Sequence, residues 1–179
     1  MVSLSVLFYI FIFIFALIGA IRGWAKEGTA AVSALLALFI LTVMQNYIPA
    51  VKSYLENSQV SSQVIFQSVV LGIVVFIGYQ TPNLPVFMQN QHFKRNQMQD
   101  VILGFLIGGL NGYMIFGSLW HFMHQGGYPF SFMLEPIAGT PAGQTALQII
   151  PLLPPNWLVA PGIYFAIAVS FMFVLMVFI

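Results

Sequence analysis

Apolar residues fill five stretches of the chain, and polar residues collect in the gaps between them. The stretches are 4–21, 29–47, 64–79, 101–123 and 158–179. A bilayer core is crossed by about 20 apolar helical residues, with a range of about 17–25. The third stretch is the short one and carries Gln67 and Ser68, so it crosses only with polar shoulders or local thinning of the bilayer. The pattern predicts an all-α integral membrane protein, a five-helix transmembrane bundle forming a single domain over 1–179.

Composition points the same way. The 179 residues are 60% hydrophobic and 5% charged, with a mean hydropathy of +0.94. A soluble domain carries about 25% charged residues. A chain so poor in charge cannot cover itself with ionised groups, so its main solvent is the lipid bilayer. The net charge of +1 gives no argument for a nucleic-acid partner, and none is expected. The absence of Cys excludes disulfides, thiolate metal sites and thiol catalysis.

The few charges predict an orientation. No Lys or Arg precedes the first stretch, whereas Arg22 and Lys26 follow it, which reads as an uncleaved helix with its N-terminus outside. The first loop holds Arg22 and Lys26, the third holds Lys94 and Arg95, and the second balances Lys52 with Glu56. Loops rich in Lys and Arg stay in the cytoplasm. The topology expected is N-out/C-in, with the long fourth loop, 125–157, at the outer interface. Within that loop Thr140 and Pro141 are placed to cap and open a short helix to about Ile150, and Pro151, Pro154 and Pro155 to stop it. Trp120, Tyr128 and Trp157 are expected at the headgroup level. The loop either caps the bundle or offers a docking surface.

The fourth stretch, "LGFLIGGLNGYMIFGSLWHFMH", raises a different question, because it spends five glycines and an amide inside lipid. Hydrophobic force does not join helices in a membrane; close backbone packing and interhelical hydrogen bonds do. At about 100° per residue, Gly104, Gly108, Asn111, Gly112 and Ser118 share one side. Ala16, Gly19, Ala20 and Gly23 give the first helix a matching surface, and Ala30, Ser33, Ala34 and Ala37 do so for the second. The first, second and fourth spans are therefore expected to form the packed centre. Asn111 either bonds a neighbouring helix or contacts a transported group or cofactor.

A second polar constellation is "IRGWAKEG", which joins the first two spans on the side where Asp100 opens the fourth. Asp100 is placed to cap that helix. Arg22 either pairs with Asp100 or snorkels to the phosphates.

Together these stretches resemble the colicin V production protein family of bacterial inner-membrane proteins. The matching residues are Arg22-Gly23, Lys26-Glu27, Asp100, Gly104, Gly108 and Gly112, and the resemblance spans roughly 4–123. It implies a multi-pass protein of the bacterial cytoplasmic membrane with a part in producing or exporting a peptide toxin. The chain departs from the family in two ways. Asn111 stands where the family often has Arg, and a long apolar loop and fifth span replace a polar tail.

Catalysis is not expected. His121 and His124 lie three apart, but Glu135 is the only acid near them, fewer ligands than a zinc site needs. No cofactor is predicted; His121 alone leaves open a pigment or haem ligand beside the simpler reading of an interfacial His. "GTPAG" lacks the Lys and length of a phosphate loop. Glu27, Glu56, Asp100 and Glu135 are all read as lying at helix ends or in loops, so no proton relay is expected. Two roles remain: an export or envelope protein of the family's kind, alone or as a homo-oligomer, or an accessory subunit among the transmembrane subunits of a respiratory or photosynthetic complex.

Overall fold

In lipid a spanning segment must satisfy every backbone N–H and C=O internally, which an α-helix does. The computed structural model describes residues 4–80, 97–131, 135–137 and 139–178. Its helices are α1 (Leu4–Arg22), α2 (Trp24–Tyr47), α3 (Pro49–Asn57), α4 (Val60–Tyr79), α5 (Gln97–Gln125), α6 (Pro141–Ile149), α7 (Pro154–Trp157) and α8 (Gly162–Phe178), with a 3₁₀ turn at Ile150–Leu152. No strand occurs among the described residues. The protein is an all-α membrane bundle. α1, α2, α4 and α5 are long and apolar enough to cross a membrane, and α8, at 17 residues, is the shorter fifth.

The helix limits differ from the apolar limits in instructive places. α2 starts at Trp24, not at 29, because the connection from α1 is the single residue Gly23. Gly23 has φ 85° and ψ 157°, a region open essentially to glycine alone. α3 is an addition that apolar runs did not reveal, since it buries none of its residues; Pro49 opens it. α5 begins at Gln97, a turn before the apolar stretch. Lys94 and Arg95, used above to orient the third loop, lie outside the described residues.

The centre of the bundle is α5. Its pairing with α1 is the most extensive in the molecule, and α2 packs on α5, on α4 and on α8. α1 and α2, expected as mutual neighbours in the centre, touch far less and meet mainly through α5. α1 and α5 run antiparallel, with Gly104 against Gly19 and Gly23, Gly108 against Phe15 and Gly19, and Gly112 against Phe11, Ile12 and Phe15. A Cβ on Gly19 would overlap the Gly104 carbonyl oxygen and lie 2.8 Å from Gly108 Cα. The glycines let two backbones touch, which is how helices gain contact where lipid competes for every side chain. On the other side of the bundle Ala30, Ala34, Ala37 and Leu41 of α2 pack into the core with Leu71 and Met114, and Gly78 of α4 leaves room for Ser33.

The long fourth loop folds back over the end of α1 and α5. Thr140 caps α6, its Oγ1 accepting from the Gly143 N–H at 3.1 Å. Pro154 lies against Gly117, and Leu153 is fully buried. Trp120 and Tyr128, expected at the headgroup level, are buried within the protein at 5% and 7% exposure. The Trp120 indole N–H donates to the Tyr128 hydroxyl at 3.2 Å, so the buried indole has its hydrogen bond inside the protein. Trp157 stays half exposed and donates to the Tyr113 hydroxyl at 2.9 Å. That hydroxyl in turn donates to the Leu152 carbonyl, tying the 3₁₀ turn to α5.

Candidate functional site

The one-residue turn at Gly23 decides the chemistry of this end of the bundle. It places Arg22, the last residue of α1, and Glu27, in the first turn of α2, on the same side. Arg22 Nη1 pairs with Glu27 Oε1 at 2.5 Å. The other guanidinium nitrogen, Nη2, donates to the Tyr79 carbonyl at 3.1 Å, satisfying one of the orphan carbonyls at the end of α4. The guanidinium carbon lies 4.4 Å from the centre of the Tyr79 ring, within cation–π range.

Glu27 is fully buried. Its Oε2 accepts from the Tyr79 hydroxyl at 3.2 Å and from Asn111 Nδ2 at 2.7 Å. The same Asn111 nitrogen donates to the Glu27 carbonyl at 3.0 Å. One carboxylate thus gathers groups from α1, α4 and α5. Taking an ion pair out of water costs several kcal/mol per ion, and such a pair is tolerable only when extra hydrogen bonds occupy the remaining lone pairs. Here charge-assisted bonds fill that role. Asn111 is itself fully buried, and its Oδ1 has no partner among the described residues.

Two expectations are corrected here. The ion pair formed by Arg22 is with Glu27, not Asp100. The Asp100 carboxylate accepts from the Trp24 N–H at 3.3 Å, so it caps α2 from a neighbouring helix. Gly23, the N-cap of α2, has no side chain to do so, and the earlier start of α5 moves Asp100 off its own cap position. Glu27 does lie at a helix end, in the first turn of α2, but it is fully buried there rather than exposed to water. Sequence reasoning missed Glu27 and Tyr79 as site residues. The signal for Glu27 was Gly23 itself, since a glycine-only turn starts α2 one helical turn before the acid. Tyr79 had no signal beyond its place at the end of a span.

Asn111 bonds a neighbouring helix, and Gly104, Gly108 and Gly112 provide the close approach to α1 that holds α5 in register. His121 lies apart from this cluster, toward the far end of α5. It is half-buried, and its Nδ1 has no hydrogen-bond partner among the described residues. His124 Nδ1 lies 3.4 Å from the Tyr128 hydroxyl. No three His, Cys, Asp or Glu side chains converge on a metal position among the described residues.

Chemically, the Arg22–Glu27–Tyr79–Asn111 cluster is a set of fixed donors around one acceptor. It has the character of a fastening between helices. No family model, curated protein or solved structure matches the chain.

Proposed function

We propose that the chain is a non-enzymatic multi-pass protein of the bacterial inner membrane, of the colicin V production kind, acting in peptide-toxin production or export or in upkeep of the envelope. One observation carries this reading. The residues on which the resemblance rests are scattered over much of the sequence, yet they converge in one place. Arg22, Gly23 and Glu27 form the corner of α1 and α2. Asp100 caps that corner, and Gly104, Gly108 and Gly112 form the seam beside it. Asn111 fits the same picture, since it donates to the carboxylate without adding a second cation.

A second reading has its own support. α8 packs on α2 and turns Phe165, Val169 and Met172 outward at 66–70% exposure. That face suits a neighbouring subunit as well as it suits lipid, which favours an accessory subunit of a larger membrane complex. The test is mild extraction from native membranes, followed by sizing, mass spectrometry and an absorption spectrum. A colourless single component, monomeric or symmetric, supports the first reading. Co-purification with other subunits, above all a coloured assembly, overturns it in favour of the second.

A further inference from the structure

At the end of the bundle opposite Arg22, a hollow of about 240 Å³ opens between α2, α4 and α5. Four glutamines line it: Gln45 from α2, Gln63 and Gln67 from successive turns of α4, and Gln125 from the end of α5. The Gln63 amide nitrogen is already engaged, donating to the Leu55 carbonyl at 2.6 Å and to the Ser58 carbonyl at 3.3 Å, which fixes this side chain; its carbonyl oxygen makes no hydrogen bond among the described residues. The side chains of Gln45, Gln67 and Gln125 make no hydrogen bond among the described residues. Phe122 and Val64, both buried, also line the hollow.

Gln67 is the informative residue. It is the eighth residue of α4, about 10 Å into the helix at about 1.5 Å per residue. Lipid offers an amide no hydrogen bond, and leaving one unsatisfied costs on the order of a few kcal/mol. An amide on a membrane-spanning helix with no hydrogen-bond partner among the described residues is therefore served by water or by a ligand. The hollow has room for at least about eight waters at ~30 Å³ each, the volume class of a single sugar ring.

Charge and donor count narrow the ligand. Among the described residues no ionisable side chain lines the hollow, so a charged ligand would meet no counter-charge from them. Each free amide offers both donors and an acceptor, and the fixed Gln63 offers an acceptor. A hydroxyl is donor and acceptor at once and suits such a mixture. The Phe122 side chain adds an apolar wall for the C–H face of a ring. We propose that this hollow is a binding site for an uncharged polyhydroxyl group the size of one sugar ring, held by Gln45, Gln63, Gln67 and Gln125. The group is either a free sugar or the headgroup of a glycolipid. The proposal stands independently of the envelope reading above.

The test uses the full chain, purified in a polyoxyethylene detergent and returned to phosphatidylglycerol nanodiscs, so that no sugar detergent competes. Methyl glucoside is probed by saturation-transfer NMR, and glucosyl diacylglycerol by native mass spectrometry. Gln67→Leu and Gln45→Leu are the variants, and both should keep the parent melting temperature because neither amide has a hydrogen bond to lose among the described residues. Each should weaken binding about tenfold, the effect of one hydrogen bond. Binding of the glucoside assigns the site to free sugars, and binding of the glycolipid alone assigns it to a headgroup. The proposal is overturned if neither probe binds the folded parent, if both variants bind as the parent does, or if phosphatidylglycerol is retained in preference to the glycolipid.

Discussion

The two ends of this bundle carry polar side chains in opposite ways. At the Arg22 end an ion pair is enclosed by α1, α2, α4 and α5, and the buried carboxylate accepts from Arg22, Tyr79 and Asn111. At the other end Gln45, Gln67 and Gln125 face a hollow, and their side chains make no hydrogen bond among the described residues. The difference follows from charge. An ionised pair away from water must be enclosed by hydrogen bonds or it unfolds its surroundings. A neutral amide can wait at a wet opening. The enclosed end should therefore answer to substitution through stability, and the open end through binding.

Substitutions separate the two ends in order of effect. Gly108→Leu should be the most damaging, because the added side chain meets the α1 backbone at Phe15 and Gly19. Overpacking usually costs about 1–3 kcal/mol where neighbours can move, and a backbone cannot readily move. The expected outcome is loss of a monodisperse species on sizing. Arg22→Met comes next. It leaves Glu27 buried without its cation, a change of about 3–5 kcal/mol, read as a lower melting temperature in lipid. Asn111→Leu removes an interhelical hydrogen bond and should cost about 0.6–1.7 kcal/mol by reversible unfolding in bicelles. Gln67→Leu, at the open end, should change stability by no more than about 0.5 kcal/mol. A large loss there would erase the contrast between the ends.

Much of the fold was legible in the sequence because lipid imposes one rule on every span. The apolar runs revealed the helices, and the spacing of Gly104, Gly108 and Gly112 revealed a seam, since small residues are what close contact in a bilayer demands. α3 was not legible from apolar runs, because its nine residues place only Val51, Tyr54 and Leu55 at helical spacing among polar ones and form no run. The polar cluster was half legible. Arg22, Asp100 and Asn111 stood out as polar groups in apolar surroundings, but their partners depended on how sharply the chain turns. Reading 22–28 as a loop left Glu27 in water. The one-residue turn at Gly23 put it inside the bundle and gave Arg22 a partner five residues away rather than across the loop. The burial of Trp120 and Tyr128 was not legible either, since it depends on the fourth loop folding back to pack Ala146, Ile149 and Leu153 with them.

The central claim is that Arg22 and Glu27 stabilise the bundle as a unit, and a double-mutant cycle in lipid tests it most directly. The cycle compares Arg22→Met, Glu27→Leu and the double variant with the parent by reversible unfolding. Leaving one buried charge alone is costly, whereas replacing the pair with apolar groups is often neutral. The account therefore predicts that the double variant recovers most of the stability lost by Arg22→Met, with a coupling of about 2 kcal/mol or more. Effects that simply add would contradict it, because they would mean that the two side chains do not depend on one another.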